Sequence, residues 1–449
     1  MTDRAVRSTE HLDGRSAARP SAEAALPPVE ARILRAAAWR IIPLLILCYM
    51  FSYLDRINLS FARQPMEHDL NFSDATFGLG AGLFFVGYIA FQVPSSVLLM
   101  RFGARRTIAA IMIGWSLISF LFTIVDTVWQ FCALRVLLGV AEAGFYPAVL
   151  YYLALWFSRQ MLGRVTSGFL IAIPLSGALG GPVSVFILSR LDGAMSVPGW
   201  KWMFVIEALP ALLLGFVLLR WLDDGPADAG WLDESQRRLL LTRAPAGEGT
   251  GPAGAGGRTP RAFTALTRPL VPLLIVICFC QAVCNYGIVF WIPTFIAQVL
   301  AVPPSQVGLY TTLPFLTAIL AMTLNARSSD RRQERRWHMA APFLAVSVLL
   351  VLAFLFQGHG AVALLLLTGA LAAALCVTAM IFTIPALVLE KGTLATSLAW
   401  INSLGALGGL IGPYAIGWLR VHTGQPLAGL FLVAVCAGVG GVATLRLPR

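Results

Sequence analysis

Five ionisable residues stand inside long apolar runs of this 449-residue chain: Asp55 and Arg56 in one, Arg135 and Glu142 in a second, Glu207 in a third. An ionised group in bilayer hydrocarbon costs about 2.5–3.5 kcal/mol on insertion scales, so such residues mark ligand or ion pathways by default. Arg135, Gly139 and Glu142 follow at i, i+4 and i+7 on one helix face, with the two charges about 10 Å apart along the axis. Asp55 and Arg56 are neighbours, about 100° apart around a helix, and should not share a partner. One can face the span carrying Arg135 while the other faces a cavity. A guanidinium in a cavity suits a carboxylate, because its planar fork engages both oxygens. That points to an anionic ligand held by Arg56. A buried carboxylate such as Glu142, with an arginine beside it, can gain and lose a proton as its surroundings change, so Glu142 is the candidate coupling group.

Depth arithmetic groups these residues further. With the first span running from about Ala38 to Ala62 and the fourth starting near Trp129, Asp55 and Arg135 both lie roughly 10 Å below the same end and can pair. Glu142, Tyr88, Asn285 and Asn402 come out nearer the midplane, and Tyr53, Asn58, Gln92, Gln281, Tyr286 and Thr378 are further polar companions. The competing reading makes Asp55, Arg135 and Glu142 a static charge network between the first and fourth spans. Glu207, following Trp200-Lys201-Trp202, reads as structural and within reach of interfacial water, with those tryptophans, Trp221 and Trp231 as interface anchors.

The elements that must position these groups are apolar helices. The chain is 58% hydrophobic and only 12% charged, where a soluble protein carries about 25% charged residues. Apolar runs of more than about 18 residues, each able to cross a bilayer as a helix, have centres near Leu47, Val86, Leu117, Leu138, Ile173, Ala211, Cys284, Leu316, Val348, Ala373, Ala406 and Ala434. This is an all-α polytopic membrane protein with twelve transmembrane helices in two six-helix halves. The expected organisation is a disordered cytoplasmic tail over 1–37, a first half over 38–222, a Gly/Pro-rich cytoplasmic linker over 223–268 that includes a short amphipathic helix near Trp231 to Leu241, and a second half over 269–445.

The net charge of +11 reads as topology, not as a nucleic-acid surface, because the basic residues cluster in short loops. Three loops hold Arg101, Arg105, Arg106, Arg159, Arg164, Arg327, Arg331, Arg332, Arg335 and Arg336, whereas the alternate loops hold Arg63, Arg190, Lys201 and Arg420. Cytoplasmic loops carry the excess, which places both termini in the cytoplasm. The basic turns after the second and eighth spans echo each other, as duplication would produce. All seven cysteines fall inside apolar spans and read as small apolar residues, with no metal site. Gly177, Gly180, Gly181 and Pro182, and Gly405, Gly408, Gly409, Gly412 and Pro413, permit close helix contact and bending. Phe290, Trp291, Phe295, Phe315, Phe382 and Trp400 lean the reading toward aromatic or mixed substrates.

Four stretches then carry a resemblance. Tyr53-Leu54-Asp55-Arg56-Ile57-Asn58, Arg135 through Pro147, Ser329-Asp330 with Glu334-Arg335-Arg336-Trp337-His338, and Asn402 through Gly409 with Gly412-Pro413-Tyr414 resemble the anion:cation symporter branch of the major facilitator superfamily, over about Arg40 to Arg420. Its bacterial members include tartrate, phthalate and galactonate transporters. The resemblance implies the major facilitator fold and proton symport of an organic carboxylate by alternating access in a bacterial inner membrane. It implies substrate-binding and proton-coupling roles for Asp55, Arg56, Tyr88, Arg135 and Glu142, makes Asn402 a substrate ligand, and matches Tyr53 to the family's first-span tyrosine. Asn285 is added as a substrate contact from depth and polarity alone. The general loop motif after the second span is degenerate, with Ser96 for its glycine and Met100 for its aspartate.

The expected partners are a small organic anion, the proton and membrane lipid. The chain is expected to be a monomer, with no other cofactor and no enzymatic activity. The alternatives are a proton-driven drug or metabolite exporter, for which Gly177 to Pro182 partly resembles an antiporter motif, and a nontransporting membrane sensor.

Overall fold

The computed structural model describes residues 28–157, 159–243, 268, 270–381, 394–425 and 427–448, and among these the secondary structure is helical. The first half comprises α1 (Pro28–Leu70), α2 (Asp74–Phe102), α3 (Ala104–Phe120), α4 (Val128–Glu142), α5 (Phe145–Trp156), α6 (Arg159–Phe169), α7 (Ala172–Arg190) and α8 (Gly199–Trp221). After the short α9 (Glu234–Arg243) come α10 (Leu270–Leu300), α11 (Pro304–Arg332), α12 (Arg336–Leu355), α13 (Gly360–Met380), α14 (Leu394–Thr423) and α15 (Gly429–Leu445). Among the described residues eleven segments are long and apolar enough to cross a membrane, α4 and α5 together counting as one, and α15, apolar but of 17 residues, is a shorter twelfth. Each span centre read from the sequence falls in its own helix. Helix α1 begins at Pro28, inside the stretch expected to be a tail, and α9 falls where the amphipathic helix was expected. The rest of the tail, the linker over 244–267 and Phe382 lie outside the described residues.

Local chemistry sets the breaks. Ser73 caps α2 by accepting from the Thr76 amide at 3.3 Å, and Thr127 and Gln130 form a reciprocal capping box at the start of α4. Gly103 turns the chain between α2 and α3 at φ +80°, a conformation that costs glycine little. The fourth span breaks at Ala143-Gly144, and Pro147 in the first turn of α5 lacks an N–H where none is needed.

The halves meet most closely at the end of the bundle that carries Asp74. There α2 packs on α14 through glycines: a Cβ on Gly78 would strike the Pro413 carbonyl, and one on Gly417 would strike the Asp74 carbonyl. Helices α7 and α11 cross at Gly181 and Gly308, where a Cβ on Gly181 would lie 2.9 Å from the Gly308 carbonyl oxygen. Gly177 instead faces the Phe315 ring, so the glycines that resemble an antiporter motif make helix-packing contacts here. Charges seal the same end. Asp74 of α2 accepts from Arg63 of α1 and from Arg420 Nε of α14 at 2.9 Å. Arg63 also donates to Thr294 at 3.1 Å and Arg420 to Gln298 at 3.1 Å, both on α10. Trp200 is fully buried and donates to Asp69 at 2.7 Å, so it pins α8 to the end of α1 instead of anchoring at a lipid interface.

Candidate functional site

The site lies where α1 meets α4 and α10. Arg56 Nη2 and Nε reach a single oxygen of Glu142, Oε2, at 2.6 and 2.9 Å. Ser52, one turn earlier on α1, donates to that oxygen at 3.2 Å. Glu142 is completely buried, and its Oε1 has no hydrogen-bond partner. The guanidinium sits 4.8 Å from the Phe84 ring centroid, 5.6 Å from Tyr88 and 5.9 Å from Tyr53. Aromatic faces around a cation partly replace lost hydration. Its Nη1 is 3.5 Å from the Tyr286 hydroxyl on α10.

Tyr286 forms part of the wall of a cavity of about 340 Å³ between the halves, together with Tyr88, Gln92, Tyr146, Gln281 and Asn402. On α2 the cavity residues run from Phe85 to Gln92, about 17 to 27 Å along the axis from Asp74 at 1.5 Å per residue. That is the middle of α2, while on α10 and α14 the lining residues, Cys278 to Tyr286 and Leu398 to Ala406, lie in the half of each helix nearer the linker end, so the cavity sits at mid-depth and extends away from the Asp74 end. Gln281 is held by its own bond to Thr378 at 2.8 Å, which ties α10 to α13.

Of the residues expected at the site, Arg56 and Glu142 form its ion pair and Tyr88 and Asn402 line its cavity. Asn285 and Tyr53 are buried and face each other, Asn285 Nδ2 donating to the Tyr53 hydroxyl at 3.0 Å, a bond that links the halves behind the cavity wall. Arg135 is fully buried between α4 and α2 and donates to the carbonyls of Gly80 and Ala81 at 3.2 and 3.3 Å. Asp55 accepts from Ser119 of α3 at 2.8 Å. The Asp55–Arg135 ion pair expected from matching depth does not form: height along a helix does not fix azimuth, and each residue finds a different neighbour. Nor does Glu207 reach interfacial water, since it is 5% exposed and bound to Ser184 of α7. Sequence reasoning gave no role to Ser52, Ser119 or Tyr146, and named Tyr286 only as a polar neighbour. No spacing rule selects Tyr286 over Asn285, which stands 100° away on the same turn.

Residues 45–413 match the model of the Major Facilitator Superfamily. The chain belongs to that family. It is a transporter, not an enzyme, and an integral membrane protein. A protein of Agrobacterium vitis named for tartrate transport is 39% identical over 94% of this chain and 92% of its own length. The quinolone resistance transporter of Acinetobacter baumannii is 33% identical over 92% of this chain and 94% of its own length. Among solved structures, the xylose transporter XylE from E. coli shares the fold with a TM-score of 0.70 at 16% identity, covering 92% of this chain and 98% of XylE.

Proposed function

We propose that this protein takes up an organic carboxylate together with a proton by alternating access, and that Arg56 is the group for which substrate and Glu142 compete. The observation that carries the proposal is the Arg56–Glu142 ion pair placed beside a cavity between the halves, with the Tyr286 hydroxyl next to the guanidinium. While Glu142 is ionised it occupies the guanidinium. Protonation of Glu142 removes its charge and turns a strong acceptor into a weak one, so that Arg56 can engage a substrate carboxylate instead. Anion and proton then load together, because neither the free anion nor the free proton alone leaves Arg56 with a charge-balanced partner. Loss of the proton returns Arg56 to Glu142 and expels the substrate. Tyr88, Gln281 and Asn402 offer hydroxyl and amide groups suited to a substrate's own hydroxyls, and the relative named for tartrate transport makes a hydroxy acid the first substrate to try. Tyr146 and Tyr286 also leave room for an aromatic acid.

The basic loops support an orientation in a bacterial inner membrane with the linker end cytoplasmic and the Asp74 end external. The deciding experiment is uptake into proteoliposomes. Tartrate or another carboxylate should accumulate when the outside is acidic, and more than leak level when no gradient is imposed but unlabelled substrate is inside. A second reading, proton-driven export, is favoured by the quinolone resistance relative. In the same vesicles it predicts extrusion of a fluoroquinolone and no carboxylate uptake.

A further inference from the structure

Apart from the central cavity, the first half is hollowed where α2, α3 and α4 meet near the linker end. The hollow holds about 440 Å³ and is walled by Leu98 and Phe102 of α2, Ala110 and Gly114 of α3, and Val140 and Ala141 of α4. Leu98, Phe102 and Ala110 are exposed, so it opens sideways toward lipid. A Cβ added at Gly114 would meet no atom within 4 Å, which makes the deep end open space. Along α3 the hollow runs from Arg106 to Gly114, and along α2 from Phe102 back to Phe91, about 12 and 17 Å at 1.5 Å per residue. Half of a hydrocarbon core about 30 Å thick is about 15 Å. The hollow thus has the length of one acyl chain reaching from headgroup level to the bilayer midplane.

Its shallow end is basic. Arg106 lines it and makes no ion pair among the described residues. The Arg101 guanidinium, also without an ion pair there, lies 5.4 Å from the ring centroid of Phe102, a wall residue. Arg105, between them in sequence, is taken up by Asp224 at 2.9 Å. Two cations are therefore left for an anion, in the first turn of α3 and the last of α2, and the α3 dipole adds to the first of them. Thr107 lines the hollow too, and its buried hydroxyl has no hydrogen-bond partner. Such a group calls for an acceptor, which the ester carbonyl of a glycerolipid would supply one step below its phosphate. An apolar slot with a basic mouth at the membrane surface is the chemistry that selects an anionic headgroup, by roughly fivefold in affinity for each arginine.

We propose that this hollow binds one anionic phospholipid, its phosphate held by Arg101 and Arg106 and one acyl chain lying along α3 toward Gly114. The chain then rests on Val140 and Ala141, which directly precede Glu142, and on Ser95 and Ile111, the two side chains that a Cβ at Gly144 would strike. The lipid thereby backs the break in the fourth span from the bilayer side. Native mass spectrometry of the detergent-purified full chain, titrated with dioleoylphosphatidylglycerol or dioleoylphosphatidylcholine, counts the bound lipids and gives their affinities. Wild-type protein should hold one phosphatidylglycerol about tenfold more tightly than phosphatidylcholine or any further lipid. The double variant Arg101→Gln, Arg106→Gln should lose that headgroup preference. Gly114→Leu, whose side chain enters open space, should keep the thermal midpoint of the parent protein and lose the tight lipid; if it does not fold, Ala110→Phe on the exposed rim fills the same space and should do likewise. Equal affinity for the two headgroups in wild type, or a tight lipid retained in a folded variant with the hollow filled, would overturn the proposal. So would displacement of the lipid by glycerol 3-phosphate, which carries the phosphate without the chains and would reveal a site for a soluble ion.

Discussion

At the scale of single residues, the ion pair between Arg56 and Glu142 carries the functional reading, and it was only half legible in the sequence. Both residues announce themselves as charges in apolar spans. Their pairing does not follow from depth, which had matched Asp55 to Arg135 instead. Arg56→Ala should abolish binding of carboxylate substrates, read as loss of the substrate-induced rise in thermal midpoint of the purified protein; wild-type affinity in this variant would sink the competition model. It leaves Glu142 buried without its cation, a defect of about 3–5 kcal/mol when a buried pair is broken, unless Glu142 takes up a proton. The variant should therefore be most stable at acidic pH. Glu142→Gln keeps a hydrogen-bond acceptor for Arg56 but carries no exchangeable proton. It should bind substrate constitutively and exchange it across the membrane, yet fail to accumulate it against a gradient when the outside is made acidic. Accumulation at the wild-type ratio would place the coupling proton elsewhere.

Helices decide which of these charges can meet and when. The twelve spans could be read from apolar runs because burial in lipid leaves a strong, additive signal, whereas contacts between halves depend on azimuth and on single atoms. Gly78, Gly181, Gly308 and Gly417 are legible as small residues, yet only the structure pairs them across the α2–α14 and α7–α11 seams. The same holds for Asp74, which the sequence leaves unremarked in a loop and which here accepts from an arginine of each half. An interaction made in one access state alone biases the equilibrium between states. Replacing Asp74 with Asn weakens both bonds at once and should shift the balance toward opening of this end by roughly tenfold, on the order of 1.4 kcal/mol. Spin labels on cysteines at His68 and His422, exposed residues at this end of the two halves, should then report a longer-distance population that the parent protein lacks. An identical distance distribution in the Asn variant would mean that the glycine seams alone hold the end closed. Gly181→Leu should act in the opposite sense to Asp74 only if the seam tolerated it; the 2.9 Å approach to the Gly308 carbonyl means it must instead push α7 and α11 apart and also favour opening.

The whole molecule turns these local events into transport only if the chain crosses the membrane an even number of times and lies in it the stated way round. Two features bear on that. Cations are scarce at the Asp74 end, and several are neutralised there: Arg63 by Glu67 and Asp74, Arg420 by Asp74, and Lys201 by Asp126. At the linker end Arg101, Arg105, Arg106, Arg331, Arg332, Arg335 and Arg336 outnumber the acids with which Arg105 and Arg335 pair, Asp224 and Asp330. The positive-inside bias therefore survives local pairing and supports the proposal of a cytoplasmic linker end. The weak point is α15, whose 17 residues rise about 26 Å, at the short limit for a span. It packs against α12 and α10 through Gly440 and Gly441, where added Cβ atoms would meet the Phe343 and Leu344 side chains. That contact holds α15 upright beside full-length neighbours and allows a short helix to cross. Green fluorescent protein, which matures in the bacterial cytoplasm and not after export through the general secretory route, should fluoresce when fused to either terminus of the chain. Alkaline phosphatase should be active when inserted after Gly193 and inactive at both ends. A dark C-terminal fusion beside a fluorescent N-terminal one would mean eleven crossings, and the two halves could then no longer exchange access as equivalents.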